Sequence, residues 1–408
     1  MKRNIYLLAA ILLTALPACR HNKTTTDNME SYKKGTFGYD LHFLSQKDSL
    51  VTLTSGDGEA QVIVSPRYQG KVFTSTSGGL GGKSLGYLNY TALEAEELNE
   101  HINAYGGENR LWLGPEGGRY SVFFEPGAAQ VFDNWHTPKP LDIEPWTVLF
   151  SDRREVALEK EMQVSNYLGN RLQVKLSRKV RLLEASEIKE RLGIAPAGGV
   201  KLVAYATENS VTNAGDFAWT EETGTVCIWI LDMFNTAPRA VTVVPFDEKA
   251  AGVVATTDYF GEIPADRFKT VGSVAYLKTD GHFRSKIGMS AGRTTAIAGN
   301  YDPDSGQLTI ITFDKDREGI YLNQEWNPEK DPLVGDALNA YNDGPLEDGS
   351  IMGPFLELES ASPAAFLSPG ESLAHSHHVF HFTGGEDALS EVTEALLGVS
   401  IQEIKQVF

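Results

Sequence analysis

Residues Gly106 to Tyr120 bring two arginines (Arg110, Arg119), two carboxylates (Glu108, Glu116) and two aromatics (Trp112, Tyr120) together among flexible glycines. That mix suits a sugar. A flat ring such as Trp112 covers the apolar face of a pyranose, while Arg110, Arg119 and Glu116 make charge-assisted bonds to hydroxyls, with Asn109 beside them. The alternative is a glycine-rich turn with a structural ion pair.

A second cluster is Phe355-Leu356-Glu357-Leu358-Glu359-Ser360. In a strand, Glu357 and Glu359 project to one face and Leu356 and Leu358 to the other. Two carboxylates in a partly enclosed pocket raise one another's pKa, which fits one of them for proton transfer. On an open surface the same pattern is only the solvated side of an amphipathic strand.

Other clusters carry less. His375, His377 and His381 share a strand face, but the outer two lie about 20 Å apart at roughly 3.3 Å per residue, too far for one ion. His282, Arg284 and Lys286 form a basic strip that either holds an acidic group or pairs with surface carboxylates. Asp302-Pro303-Asp304-Ser305-Gly306 lacks the far bidentate Glu of a calcium loop and reads as a hairpin turn. Cys227, among Val226, Ile228 and Trp229, reads as a buried, inert thiol. No nucleophile elbow, phosphate loop or zinc-protease helix is present, and neither metal nor cofactor is expected.

The elements that must position these residues are mostly strands. Runs rich in Val, Ile, Thr, Tyr and Phe occur at 61–65, 120–125, 201–207, 226–231, 240–245, 307–313 and 355–359, with Gly, Asn, Asp and Pro between them. No alternation with long helices is visible, so the expectation is an all-β, antiparallel sandwich. A helix is expected near 91–105, with Thr91 and Glu94 as a capping box and Gly106-Gly107 as its stop. A C-terminal helical segment spans 387–407, broken at Gly398. No repeat or linker divides residues 32–408, which read as one domain.

The 408-residue chain carries a formal charge of -18, so nucleic acid is excluded as a partner. Its start, Lys2-Arg3 followed by an apolar run from Ile5 to Leu16 and then Leu16-Pro17-Ala18-Cys19, reads as a signal peptide over 1–18. The Leu-x-Ala-Cys box resembles the bacterial lipobox, in which the cysteine is acylated. Residues 19–31 then form a flexible tether from lipidated Cys19. The expected location is the cell envelope, on the outer membrane and facing the periplasm. Only Cys19 and Cys227 are present, so acylation of Cys19 leaves no internal disulfide.

Taken in order, these motifs resemble the galactose mutarotase-like superfamily. Asn109-Arg110-Leu111 is similar to its Asn-Arg-Ile element; Asn134-Trp135-His136 falls where its first active-site histidine lies. Phe355-Leu356-Glu357 with Leu367-Ser368-Pro369-Gly370-Glu371 resembles its catalytic-glutamate strand and following turn. The resemblance implies a β-supersandwich of antiparallel sheets with Glu357 and His136 as catalytic residues, and the strand reading adds Glu359 as the alternative base. It implies a mono- or oligosaccharide partner and an epimerase or mutarotase-like isomerase acting on a modified sugar. The family's second histidine follows a Thr-Asn pair, whereas Thr212-Asn213 is followed here by Ala214. The alternatives are therefore a non-catalytic glycan-binding lipoprotein or a structural envelope protein.

Overall fold

The computed structural model describes residues 32–195, 198–346 and 348–408, so the expected signal peptide, tether and Cys19 lie outside the described residues. Strands Glu155–Ser165 and Arg171–Leu182 alternate buried and more exposed positions along most of their length. Their outward side carries ion pairs such as Lys175–Glu159 at 2.5 Å, and their inward side carries Leu172, Val174, Leu176 and Val180. Such two-faced strands belong in an antiparallel sheet covered on one side.

That sheet has ten strands, in the order Phe268–Val271, Val274–Lys278, Val241–Pro245, Ile297–Asp302, Gln307–Phe313, Ser372–Thr383, Lys201–Asn213, Arg171–Leu182, Glu155–Ser165 and Thr147–Ser151. A five-stranded sheet follows the order Ser285–Met289, Leu338–Asn342, Phe355–Ala361, Cys227–Asn235 and Arg110–Gly114. A third, Val51–Thr54, Gln61–Ser65 and Lys71–Thr76, has three strands. Every ladder between them is antiparallel. The all-β antiparallel class expected from the sequence is the one observed.

The main core lies between the ten- and five-stranded sheets, where Tyr205, Val211 and Val379 share one apolar cluster with Ile228, Ile230, Leu356 and Leu358. Each such buried side chain contributes roughly 1.5–3 kcal/mol. Helices Glu386–Leu397 and Ile401–Gln406 cover the other face of the large sheet, seating Leu389, Val392, Ile401 and Ile404 with Val243, Tyr301, Phe380 and Phe382. Gly398 separates the helices at φ 74°, and the expected capping box of Ser400 and Glu403 is present.

A polar layer runs through the main core. His377 Nε2 donates to Asp232 at 2.6 Å, and Ser360 Oγ bridges His377 Nδ1 and His375 Nε2 at 2.8 Å each. Asn109 donates to the other Asp232 oxygen at 2.5 Å, and Arg178 donates to Asn109. Burial, then His377 and His378, lowers the His375 pKa to about 3, so its imidazole is neutral. Ser360, His377 and Asp232 are enclosed, at 1%, 0% and 0% exposure, so the chain ties sheet to sheet and meets no solvent. The histidine-rich strand is structural.

Several expectations are corrected. The helix expected over 91–105 is confined to Tyr90–Glu94 and is capped by Asn89, whose side chain accepts from the Ala92 amide. Beyond it Asn99 and Asn103 bond nearby backbone in place of helical turns, and Leu98 points to solvent. Residues 120–125 form turns with one isolated bridge, Phe124 to Trp135, because Ser121 turns back to the Glu116 carbonyl. Helices Phe37–Ser45 and Ala185–Leu192 were not foreseen.

Candidate functional site

The five-stranded sheet sends one face to the core and the other to a cavity. Cross-strand register sets the cavity face in rows. Lys286, Tyr341, Glu357 and Met233 form one row, and Asn339, Glu359, Leu231 and Arg110 the next. Trp229 and Trp112 complete a third. The predicted split of Glu357 and Glu359 from Leu356 and Leu358 is the arrangement found, because strand side chains alternate.

Arg110 donates to Glu357 Oε1 at 2.6 Å, and its guanidinium sits 4.5 Å from the Trp112 ring centroid. Glu359 Oε2 accepts from Lys286 Nζ and Trp229 Nε1, both at 2.9 Å. The other Glu359 oxygen has no partner among the described residues. Burial, opposed by Arg110 and reinforced by Glu359, raises the Glu357 pKa to about 7. Burial also raises that of Glu116, with Lys286 opposing. At Lys286 burial works against the ammonium, but Glu359 and Glu116 outweigh it and the pKa rises. The floor thus carries one carboxylate poised near neutrality and one firmly charged ammonium.

Above this floor, with its recess of about 80 Å³, opens a cavity of about 650 Å³ sharing Glu116, Trp135, Phe260, Arg284 and Lys286 with it. Its wall is a stack: Trp135 lies parallel to Phe123 and nearly parallel to Trp326, each at 5.9 Å between ring centroids. A Cβ at Gly117 would collide with the Glu325 carbonyl, so glycine there lets the loop carrying Trp326 approach. Phe132, Phe260, Ile351 and Met352 are exposed at the mouth.

The structure brings together five of the residues singled out in the sequence, Arg110, Trp112, Glu116, Glu357 and Glu359, along the recess. Three others are corrected. His136 is exposed, stacks on His101 at 4.8 Å and faces the Glu100 carbonyl at 3.0 Å, outside the cavity lining. Asn109 follows the opposite strand alternation to Arg110 and is bound into the inter-sheet polar layer. Arg119 is exposed and lines neither chamber. Asn213 ends a strand of the large sheet, Ala214 follows it, and both lie outside the lining.

Sequence reasoning missed Trp229, Trp326, Phe260 and Tyr341. Trp229 had a usable signal, since it occupies the strand face opposite Ile228 and Ile230. Trp326 and Phe260 come from loops, where no periodicity reports direction. Cys227 is fully buried and its pKa is pushed up to about 12 by burial, as an inert thiol requires. Asp302 and Gln307 end and begin paired strands, as expected of a hairpin. Among the described residues no group of three or more His, Cys, Asp or Glu side chains is placed to hold a metal ion.

Structural comparison finds similar folds among galactose mutarotase-like proteins. A galactose mutarotase-like protein from Lactobacillus casei ATCC 334 is 11% identical with a TM-score of 0.48, over 82% of this chain and 100% of that one. The Slr1438 protein from Synechocystis sp. PCC 6803 is 13% identical with a TM-score of 0.49, over 83% and 96%. A proposed aldose 1-epimerase from Escherichia coli K12 is 14% identical with a TM-score of 0.48, over 82% and 98%. No curated protein matches by sequence. A family model matches residues 35–408, and the chain belongs to that family, the family of unknown function DUF6786.

Proposed function

We propose that this chain is a carbohydrate-active protein whose sugar site is the cavity over the five-stranded sheet, with epimerase or mutarotase-like chemistry on a modified sugar. The observation that carries the reading is Glu357, whose pKa comes to about 7, in a recess that opens into a cavity of about 650 Å³ lined by Trp135, Trp326 and Phe260. Glu357 takes the proton of the anomeric hydroxyl. As the C1 to ring-oxygen bond breaks, Glu116 or the Lys286 ammonium gives a proton to the ring oxygen, and ring closure on the other face reverses both transfers. Lys286 and Arg110 stabilise the developing negative charge. His136, placed outside the cavity, has no part in this.

A second reading is a non-catalytic glycan binder. What favours it is that no histidine lines either chamber among the described residues, and that Glu357 and Glu359 are each already held by a cation. Anomer exchange of a bound sugar, followed by NMR, separates the two. Acceleration that Glu357→Gln removes supports the isomerase. Saturable binding without exchange leaves the binder.

The reading includes a lipid anchor on Cys19 that holds the domain at the cell envelope, on the outer membrane facing the periplasm. Fatty-acid labelling of the chain, lost in Cys19→Ala, tests it.

A further inference from the structure

Arg284 is the one member of the basic strip that lines the site without a salt-bridge partner among the described residues. His282 is exposed and Lys286 is bound to Glu359. Arg284 lines both the recess and the wider cavity. Its guanidinium carbon sits 3.8 Å from the Phe260 ring centroid, and its Nε donates to the Tyr341 hydroxyl at 3.2 Å. Among the described residues no carboxylate pairs with it, unlike Arg110 and Lys286. Asp343 is the carboxylate bound to the same Tyr341 hydroxyl, at 2.6 Å, and it also accepts the Gly353 amide at 2.9 Å. The two terminal nitrogens of Arg284 bond nothing among the described residues, in a chamber of about 650 Å³.

The ring and the hydroxyl hold the guanidinium plane in place. A fixed, partly dehydrated fork with two free nitrogens is matched by an anion with two or three coplanar or tetrahedral oxygens, not by a lone hydroxyl. The recess has three cations, Arg110, Arg284 and Lys286, and three carboxylates. Burial moves two of these carboxylates, Glu116 and Glu357, toward their neutral form. The wider cavity adds the carboxylates Asp343, held by the Tyr341 hydroxyl and the Gly353 amide, and Glu325, paired with Lys330, so among the described residues Arg284 is the cation there whose terminal nitrogens are left free.

We propose that the cavity takes an acidic sugar, whose anionic substituent is bound by the fork of Arg284 while the sugar ring lies along the Trp135–Trp326 wall. This rests on the sugar-site reading above and names its substrate class. The shared chemistry is an oxyanion carried on a pyranose, either the carboxylate of a hexuronic acid or a sulfate ester.

The test is titration calorimetry of the purified protein with glucuronate and galacturonate, with galactose 6-sulfate, and with neutral glucose and galactose. At least one acidic sugar binds on the order of tenfold or more tighter than its neutral counterpart, the effect of a charge-assisted pair. Preference for uronates or for the sulfate identifies the anion. Arg284→Gln brings the acidic sugar down to the neutral affinity, whereas Arg119→Gln, outside the cavity, keeps the preference. Arg284→Lys, which retains charge but not the fork, restores part of it. Equal affinity for acidic and neutral sugars, or a preference that survives Arg284→Gln, overturns this proposal and leaves the sugar site standing. Absence of binding by every sugar overturns both.

Discussion

Arg110 and Glu357 stand 247 residues apart in sequence and meet at 2.6 Å across the intervening strand Cys227–Asn235. The guanidinium opposes the effect of burial on Glu357, whose pKa nevertheless comes to about 7. A base of this kind is active when deprotonated, so turnover should rise with pH through about 7. Arg110→Met removes the opposing charge and should move that rise to higher pH. A pH-rate profile identical in the two proteins would detach Glu357 from the chemistry.

Lys71 makes a prediction about stability. It is 3% exposed, its Nζ donates to the Gly106 carbonyl at 3.0 Å, and burial, aided by Arg110, lowers its pKa to about 7. Between about 7 and the ordinary lysine value the unfolded chain binds the proton and the folded chain does not, so stability rises with pH across that window. Below it the buried ammonium costs its full penalty. Lys71→Met should therefore stabilise most below pH 7, by roughly 5 kcal/mol at most, and the gain should fade toward pH 10.5. Urea unfolding at a series of pH values measures it, and a gain independent of pH would be inconsistent with a buried charged lysine.

The inter-sheet polar layer predicts a large local cost. Asp232 accepts from both His377 and Asn109 with no solvent to replace either. Asp232→Ala should destabilise by about 3–5 kcal/mol, because it leaves buried donors unpaired. Denaturant midpoints give the value; a loss below 1 kcal/mol would mean the layer contributes little.

Much of the fold was legible because runs of β-branched and aromatic residues bounded by turn residues mark strands. Gln61–Ser65, Gln307–Phe313 and the Glu357/Glu359 face were all readable from residue type and spacing. The 91–105 segment was not, since Asn99 and Asn103 side chains captured its backbone and stopped the helix. The floor of the site was visible in Arg110, Trp112, Glu116, Glu357 and Glu359. Its walls were not, because Trp326 and Phe260 reach the cavity from loops. A motif match misled at His136 and Asn109: adjacency in sequence to Trp135 and Arg110 did not place them on the same side of the chain.

Trp326 separates binding from folding. It is only partly buried and stacks on Trp135 at the cavity wall, so Trp326→Ala should weaken sugar affinity about tenfold while changing the melting temperature little. Unchanged affinity would move the sugar ring off this wall.

The central claim is that the cavity binds sugar, and the most direct measurement is the melting temperature of the purified protein against a panel of neutral and acidic mono- and oligosaccharides. Any ligand that prefers the folded state must raise it, by about 2.7 kcal/mol of added stability at a hundred times the dissociation constant. A saturable rise of a few degrees with at least one sugar, reduced in Trp326→Ala, is the predicted result. No shift with any sugar would contradict the account and leave a protein without a sugar site.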